Sequence, residues 1–279
     1  MGEIWEAPAK INLHLAAGPV DASGYHPIES VVQTIEWCDR IDLDENEEDE
    51  LVVSGFEVPD DRSNLIWKAL DRVDAGRPQL LIRLDKRIPP AAGLGGGSSD
   101  AAAALAGTAE VSGWSKGVVR SAAQETGSDV PYFLTGGSAT MRGYGERISP
   151  LEKPYRGFAV AVAVPGFELS TAEVYRTWDR LGSPAGSDHA PASLPPPLRR
   201  EGWRNDLTPA AVSAHPEMAD WIAEMSDRWE TPALMSGSGP AVFACFPSDD
   251  EAASAARAAP SDARAAVGVD LRPGGVSRA

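Results

Sequence analysis

The segment Pro89-Pro90-Ala91-Ala92-Gly93-Leu94-Gly95-Gly96-Gly97-Ser98-Ser99-Asp100 runs straight into Ala101-Ala102-Ala103-Ala104-Leu105. It constrains the fold more than any other stretch. Four glycines in five positions free the backbone for positive φ and for close approach to a ligand. Ser98, Ser99 and Asp100 are N-cap residue types, and the alanines behind them favour helix. The apolar run 80–84 reads as a strand feeding the turn. The local prediction is therefore strand, glycine turn, then a helix over 98–111. A helix start offers unpaired N–H groups and partial positive charge, which suit a phosphate. A tight turn with no ligand fits the same residues. Two common phosphate motifs are excluded. No lysine follows the glycines as a Walker A loop requires, and Ser98 stands where a dinucleotide fingerprint needs its third glycine.

Periodicity predicts further strands at 3–7, 11–17, 28–36, 138–142, 159–164, 241–246 and 266–271. Helices are predicted at 63–73 with Ser63 as N-cap, at 116–125 ended by Gly127, and at 171–179 and 249–258. Residues 205–229 read as mainly helical, broken near Pro216. The acidic stretch 42–50 reads as an exposed hairpin or loop, and the proline-rich stretch 182–200 as a surface loop. The fold class is α+β, with a division near residue 155 into segments 1–155 and 156–279. The closing helices and strands suit a ferredoxin-like unit.

With 279 residues, 43% of them hydrophobic, the chain can build a substantial core. A net charge of −16 argues against nucleic-acid binding, which needs basic patches. No apolar run approaches the ~18 residues of a membrane span, and the first residues lack the basic region of a signal peptide. The expectation is a cytoplasmic protein with no membrane partner, with Cys38 and Cys245 as buried thiols. The histidines are scattered, and none has metal-ligand spacing. An acidic chain that binds an anion must concentrate its positive charge locally.

Several residues fit such a site. Lys10 stands between Ala9 and Ile11, an odd place for a charge in a strand. It either has a use or snorkels from an edge. Asn12 shares its face, since alternate strand residues do. Tyr25 and His26 follow the Gly24 turn and either stack on a base when exposed together or pack within the loop. Asp129 sits between Gly127 and Pro131, as a general base or simply as an N-cap. Thr171 and Tyr175 are one helical turn apart, lining a pocket or capping and packing a helix.

Ala7-Pro8-Ala9-Lys10-Ile11-Asn12-Leu13-His14-Leu15 with Gly24-Tyr25-His26-Pro27, the glycine run, and Leu234-Met235-Ser236-Gly237-Ser238-Gly239-Pro240-Ala241-Val242-Phe243 together resemble the GHMP kinase superfamily. Ser63-Asn64-Leu65-Ile66, Gly127-Ser128-Asp129-Val130-Pro131, Pro165-Gly166 and Asn205-Asp206-Leu207 extend the resemblance over nearly the whole chain. Within the superfamily, the first motif and its Gly-Tyr-His turn are similar to the branch that phosphorylates 4-diphosphocytidyl-2-C-methyl-D-erythritol. The resemblance implies a GHMP kinase fold, with a ribosomal-protein-S5-like N-terminal half, a ferredoxin-like C-terminal half and the site between them. It implies catalytic Lys10 and Asp129, and an ATP loop of Pro89, Pro90, Ala91, Ala92, Gly93, Leu94, Gly95, Gly96, Gly97, Ser98 and Ser99. It assigns Asn12, Tyr25, His26, Thr171 and Tyr175 to a cytidylated methylerythritol, a small-molecule partner. ATP and magnesium are the implied cofactors, the metal with few protein ligands and none assigned. Tyr175 departs from the phenylalanine expected at its position, and Ala91-Ala92 replace glycine found in some relatives. Gly237-Ser238-Gly239 is expected to brace the ATP loop. The alternatives are a GHMP kinase for another alcohol and a non-catalytic member that binds a nucleotide or metabolite.

Overall fold

The structure, a computed structural model, describes residues 3–74, 76–183 and 203–279. The expected proline-rich loop lies outside them from residue 184. The chain builds two sheets. The first contains β1 (Glu3–Ala17), β2 (Ile28–Glu45), β3 (Glu50–Gly55), β4 (Leu80–Lys86), β5 (Ser138–Gly143), β6 (Arg147–Pro150) and β11 (Ser277–Arg278). Its order is β11-β1-β2-β4-β3, with β5 joining β2 and β6. β2 is long enough to pair with β5 through its first half and β4 through its second.

Where a break was expected after residue 7, β1 is continuous. It absorbs Pro8 by a register shift at Pro8/Ala9, since proline cannot donate to the ladder. The acidic stretch is likewise no hairpin. Asp42–Glu45 stays in β2 and pairs with β4, and Glu50 opens β3, parallel to β4. Ile41 and Leu43 are buried while Arg83 bonds Asp42 and Asp44 at 3.2 and 2.6 Å on the outer face. Alternation thus holds the strand despite its charge.

Four helices cover this sheet: α1 (Leu65–Leu70), α2 (Gly96–Ser112), α3 (Lys116–Thr126) and α4 (Val130–Phe133). α1 is capped by Asn64, not Ser63; the Asn64 side chain accepts from the Ile66 amide at 2.9 Å. α2 begins before Ser98. Gly95 takes its cap position at φ 72°, so Ser98, Ser99 and Asp100 lie inside the helix and cap nothing. The run Ala101–Ala104 packs against Trp5, Ile41, Leu43 and Ile82 of the sheet. Small side chains allow that close approach: a Cβ on Gly107 would stand 2.2 Å from Leu43.

The second sheet holds β7 (Ala159–Val164), β8 (Leu234–Met235), β9 (Val242–Phe246) and β10 (Ala265–Asp270), in the order β10-β7-β9-β8. All its pairings are antiparallel. With α5 (Thr171–Arg180), α6 (Thr208–Ala214), α7 (Glu217–Arg228) and α8 (Asp249–Arg257), it forms the expected ferredoxin-like unit. An apolar layer containing Ile11, Leu13, Leu94, Val160, Val162 and Phe243 joins the halves. The chain end then returns: β11 pairs with β1, and the Arg272 amide donates to the Thr34 carbonyl at 2.8 Å. Both cysteines stand as thiols, Cys245 buried and Cys38 only partly so. Burial nonetheless pushes the Cys38 thiol up to about 12. Among the described residues, no helix is long and apolar enough to cross a membrane.

Candidate active site

On one side, Lys10 of β1 is paired with Thr34 of β2. On the other, its amide donates to the Leu94 carbonyl at 2.9 Å. The glycine turn therefore docks on β1 where another strand would lie. The Lys10 side chain is buried, not snorkelling. Its Nζ donates to Asn12 Oδ1 at 2.5 Å and lies 3.8 Å from Asp129 Oδ2. Burial lowers the Lys10 pKa below its ordinary value, and the nearby Asp129 charge opposes that fall only in part. Asn12 is fixed in turn. Its Nδ2 donates to Ser30 Oγ at 2.8 Å, and Ser30 donates to the His14 carbonyl at 2.7 Å. Asp129 occupies the N-cap position of α4, yet its side chain caps no amide. The carboxylate is turned to Lys10 instead, and about a third of the side chain is exposed.

Close packing demands the glycines of the turn. Gly93 and Gly95 adopt φ of 78° and 72°. A Cβ would stand 2.4 Å from the Ser236 carbonyl at Gly93 and 2.7 Å from the Phe133 ring at Gly95. Ala91 shares this left-handed region, at φ 56°, where an L side chain is strained. The loop residues then divide. Ala92 and Leu94 send their side chains into the core, and the Pro90 carbonyl accepts from Arg264. Gly93 and Gly95 border a cavity. Gly97 is exposed with open space at its Cα. Pro89 is buried, Ser98 half-buried, and Ser99 Oγ buried without a partner.

The loop is braced by Ser236, one residue before the Gly237-Ser238-Gly239 turn from which bracing was expected. Ser236 Oγ accepts from the Asn12 amide at 3.2 Å and donates to the Gly93 carbonyl at 3.1 Å. Asn205 Nδ2 holds the turn by donating to the Met235 and Gly237 carbonyls. Beneath α2 lies a second, sealed cluster that sequence reasoning missed. Lys86 Nζ donates to Asp39 and, at 2.7 Å, to Asp100. It sits under the helix start, where a Cβ on Gly96 would meet it at 2.8 Å.

The cavity has a volume of about 750 Å³ and collects Lys10, Asn12, Tyr25, His26, Asp129, Thr171 and Tyr175 with Gly93 and Gly95. Tyr25 is exposed, its ring 5.7 Å from that of Tyr144. His26 is not exposed beside it, because α5 packs over the loop. Its ring stacks on Tyr175 at 4.9 Å and meets the edge of Trp178 at 5.3 Å. Its nitrogens face the Gly18 carbonyl at 3.2 Å and Asp179 at 3.4 Å. Thr171 and Ser238 hydroxyls lie 2.7 Å apart. Tyr144, Arg176, Asp179 and Ser238 also line the cavity and were not anticipated as site residues. Arg176 and Asp179 follow Ala172 and Tyr175 at i+4, a spacing that offered the signal. Among the described residues, no cluster of three or more His, Cys, Asp or Glu side chains forms a metal site.

This arrangement combines an exposed-backbone turn at a helix start, a buried ammonium and a part-exposed carboxylate. Those are the parts a phosphoryl transfer to an alcohol requires. Comparison with known proteins agrees. Residues 64–137 match the GHMP kinases N terminal domain and 193–265 the GHMP kinases C terminal domain. The chain is 38% identical over 250 residues to a 4-diphosphocytidyl-2-C-methyl-D-erythritol kinase of Pelotomaculum thermopropionicum, covering 85% of this chain and 86% of that one. It is 39% identical over 274 residues to the kinase of the same name from Nocardia farcinica, covering 91% and 88%. A crystal structure of 4-(cytidine 5'-diphospho)-2C-methyl-D-erythritol kinase superposes with a TM-score of 0.81 at 32% identity, covering 96% of this chain and 98% of that one.

Proposed function

The chain belongs to the GHMP kinases and, among them, to the 4-diphosphocytidyl-2-C-methyl-D-erythritol kinase family, and from that premise we propose that it moves the γ-phosphoryl group of ATP to the 2-hydroxyl of that substrate, a step of isoprenoid biosynthesis. The observation that carries this reading is the Lys10–Asp129 pair, 3.8 Å apart, at the cavity bordered by Gly93 and Gly95. In this reading the backbone from Pro89 to Ser99 holds the triphosphate. Asp129 accepts the proton of the 2-hydroxyl as its oxygen attacks the γ-phosphorus, and ADP leaves. Lys10 orients Asp129, and its positive charge steadies the alkoxide as it forms. Asn12, already bonded to Lys10 Nζ, orients the polyol, while Tyr25, His26, Thr171 and Tyr175 receive the cytidine.

Magnesium fits the sparse donor set. The ion would be held chiefly by phosphate oxygens and water, and the half-buried Ser98 of the loop could offer it a hydroxyl. Bound there, it neutralises phosphate charge. The same reading makes the protein cytoplasmic, where its nucleotide substrate is found.

The test is an assay of purified protein with ATP, magnesium and either the cytidylated methylerythritol, homoserine or mevalonate. We expect ADP and a phosphomonoester from the first alcohol alone. Transfer to another alcohol in preference would move the protein to another GHMP activity, and ATP binding without turnover would make it a sensor.

A further inference from the structure

The ionic groups of the cavity do not all pair. Lys10 lies between Asn12 and Asp129, and His26 faces Asp179. Arg176 lines the same cavity and, among the described residues, contacts no carboxylate. Its Nε donates to the Ala172 carbonyl one turn back, at 3.2 Å. That bond folds the guanidinium along α5 toward the helix start, where Thr171 meets Ser238. Both terminal amino groups are left for a ligand.

The charge balance makes this arginine informative. A chain of net charge −16 repels anions at long range, and an anionic ligand needs a local cation to enter. Lys10 already serves Asp129. A planar guanidinium matches two phosphate oxygens at once and is less strongly hydrated than an ammonium. Its place on α5 sets it on the wall that carries Tyr175 and Thr171, not on the wall formed by the glycine turn.

We propose that Arg176 binds the diphosphate bridge of the acceptor substrate and thereby selects a nucleoside-diphosphate alcohol over an uncharged one. This rests on the reading of the substrate given above. It makes Arg176 a specificity residue for the acceptor and leaves ATP to the glycine turn.

The test is calorimetric titration of wild type, Arg176→Gln and Arg176→Lys with CDP and with cytidine, together with KM for ATP and for the cytidylated substrate. Arg176 is exposed, so these variants keep the fold. Wild type should prefer CDP to cytidine. Arg176→Gln should lose about tenfold in CDP affinity, roughly the worth of a charge-assisted contact. Its cytidine affinity and KM for ATP should not change, and Arg176→Lys should fall between. Undiminished CDP binding in Arg176→Gln overturns the proposal. So does an equal loss for cytidine, which marks a packing effect, or a raised KM for ATP alone. If wild type binds neither CDP nor cytidine, the substrate reading falls and takes this inference with it.

Discussion

Two lysine–aspartate clusters lie beside the glycine turn, and they are built to opposite specifications. Lys86 is sealed, with 1% of its side chain exposed. It serves Asp39 and Asp100, and Asp39 also accepts from the Arg87 and Ile88 amides at 2.6 and 2.8 Å. Lys10 borders a cavity, and its carboxylate partner Asp129 is 3.8 Å away and partly in solvent. Burial acts on both ammonium groups, lowering the pKa. At Lys86 the charges of Asp100 and Asp39 outweigh it, and the pKa rises; at Lys10 burial prevails and the pKa falls. A buried ammonium held between two carboxylates ties β2, β4 and α2 together. A charge left with slack beside a cavity can respond to a substrate and its proton.

Substitutions can break that contrast. The largest effect should come from Lys10→Met, with kcat down about a thousandfold. Its unfolding free energy in urea should fall by no more than about 2 kcal/mol, because Asp129 keeps its contact with water and only the buried Asn12 Oδ1 loses its donor. Lys86→Met should do the reverse. It leaves the Asp39 and Asp100 carboxyl groups buried side by side without their cation and should cost about 3–5 kcal/mol of stability. Turnover per folded molecule should remain within about threefold, and a thousandfold loss there would erase the distinction between the clusters.

The pH profile sharpens the comparison with a smaller effect. If the proposed role of the Lys10 ammonium holds, activity should decline as pH rises through a value below that of an ordinary lysine, because burial lowers its pKa from 10.5. Lys10→Arg, even if slow, should lose that alkaline limb, since a guanidinium stays charged. The smallest effect is expected at Ser99→Ala. The hydroxyl is buried and unpaired, so its removal should raise stability by up to about 1 kcal/mol without changing KM for ATP.

The open cluster was legible because its residues stand in recognisable motifs: Lys10 and Asn12 alternate along one strand, and Asp129 precedes a proline-opened helix. The sealed cluster was not, because Asp39 and Asp100 lie 47 and 14 positions from Lys86. Each looks ordinary in its own neighbourhood. A signal was nevertheless present. Leu80, Ile82, Leu84 and Lys86 fall on the buried face of β4, as Asp39, Ile41 and Leu43 do on β2. Charges in phase with a core pattern imply a buried partner. The fold class and most elements followed from periodicity. β3, β6, β8 and β11 did not: β3 opens inside the acidic stretch read as a hairpin or loop, and the other three are two to four residues long and defined by their pairing partners. With β6 unread, Tyr144 in the turn before it escaped notice. The burial of His26 depends on α5, which lies far away in sequence.

The most direct measurement is single-turnover transfer of the γ-phosphoryl group from ATP to the cytidylated methylerythritol by Asp129→Asn, followed alongside its thermal unfolding. The account predicts transfer slowed by about a thousandfold in a protein that binds both substrates and melts within a few degrees of wild type. Transfer at the wild-type rate would contradict it, and so would a loss traced entirely to unfolding.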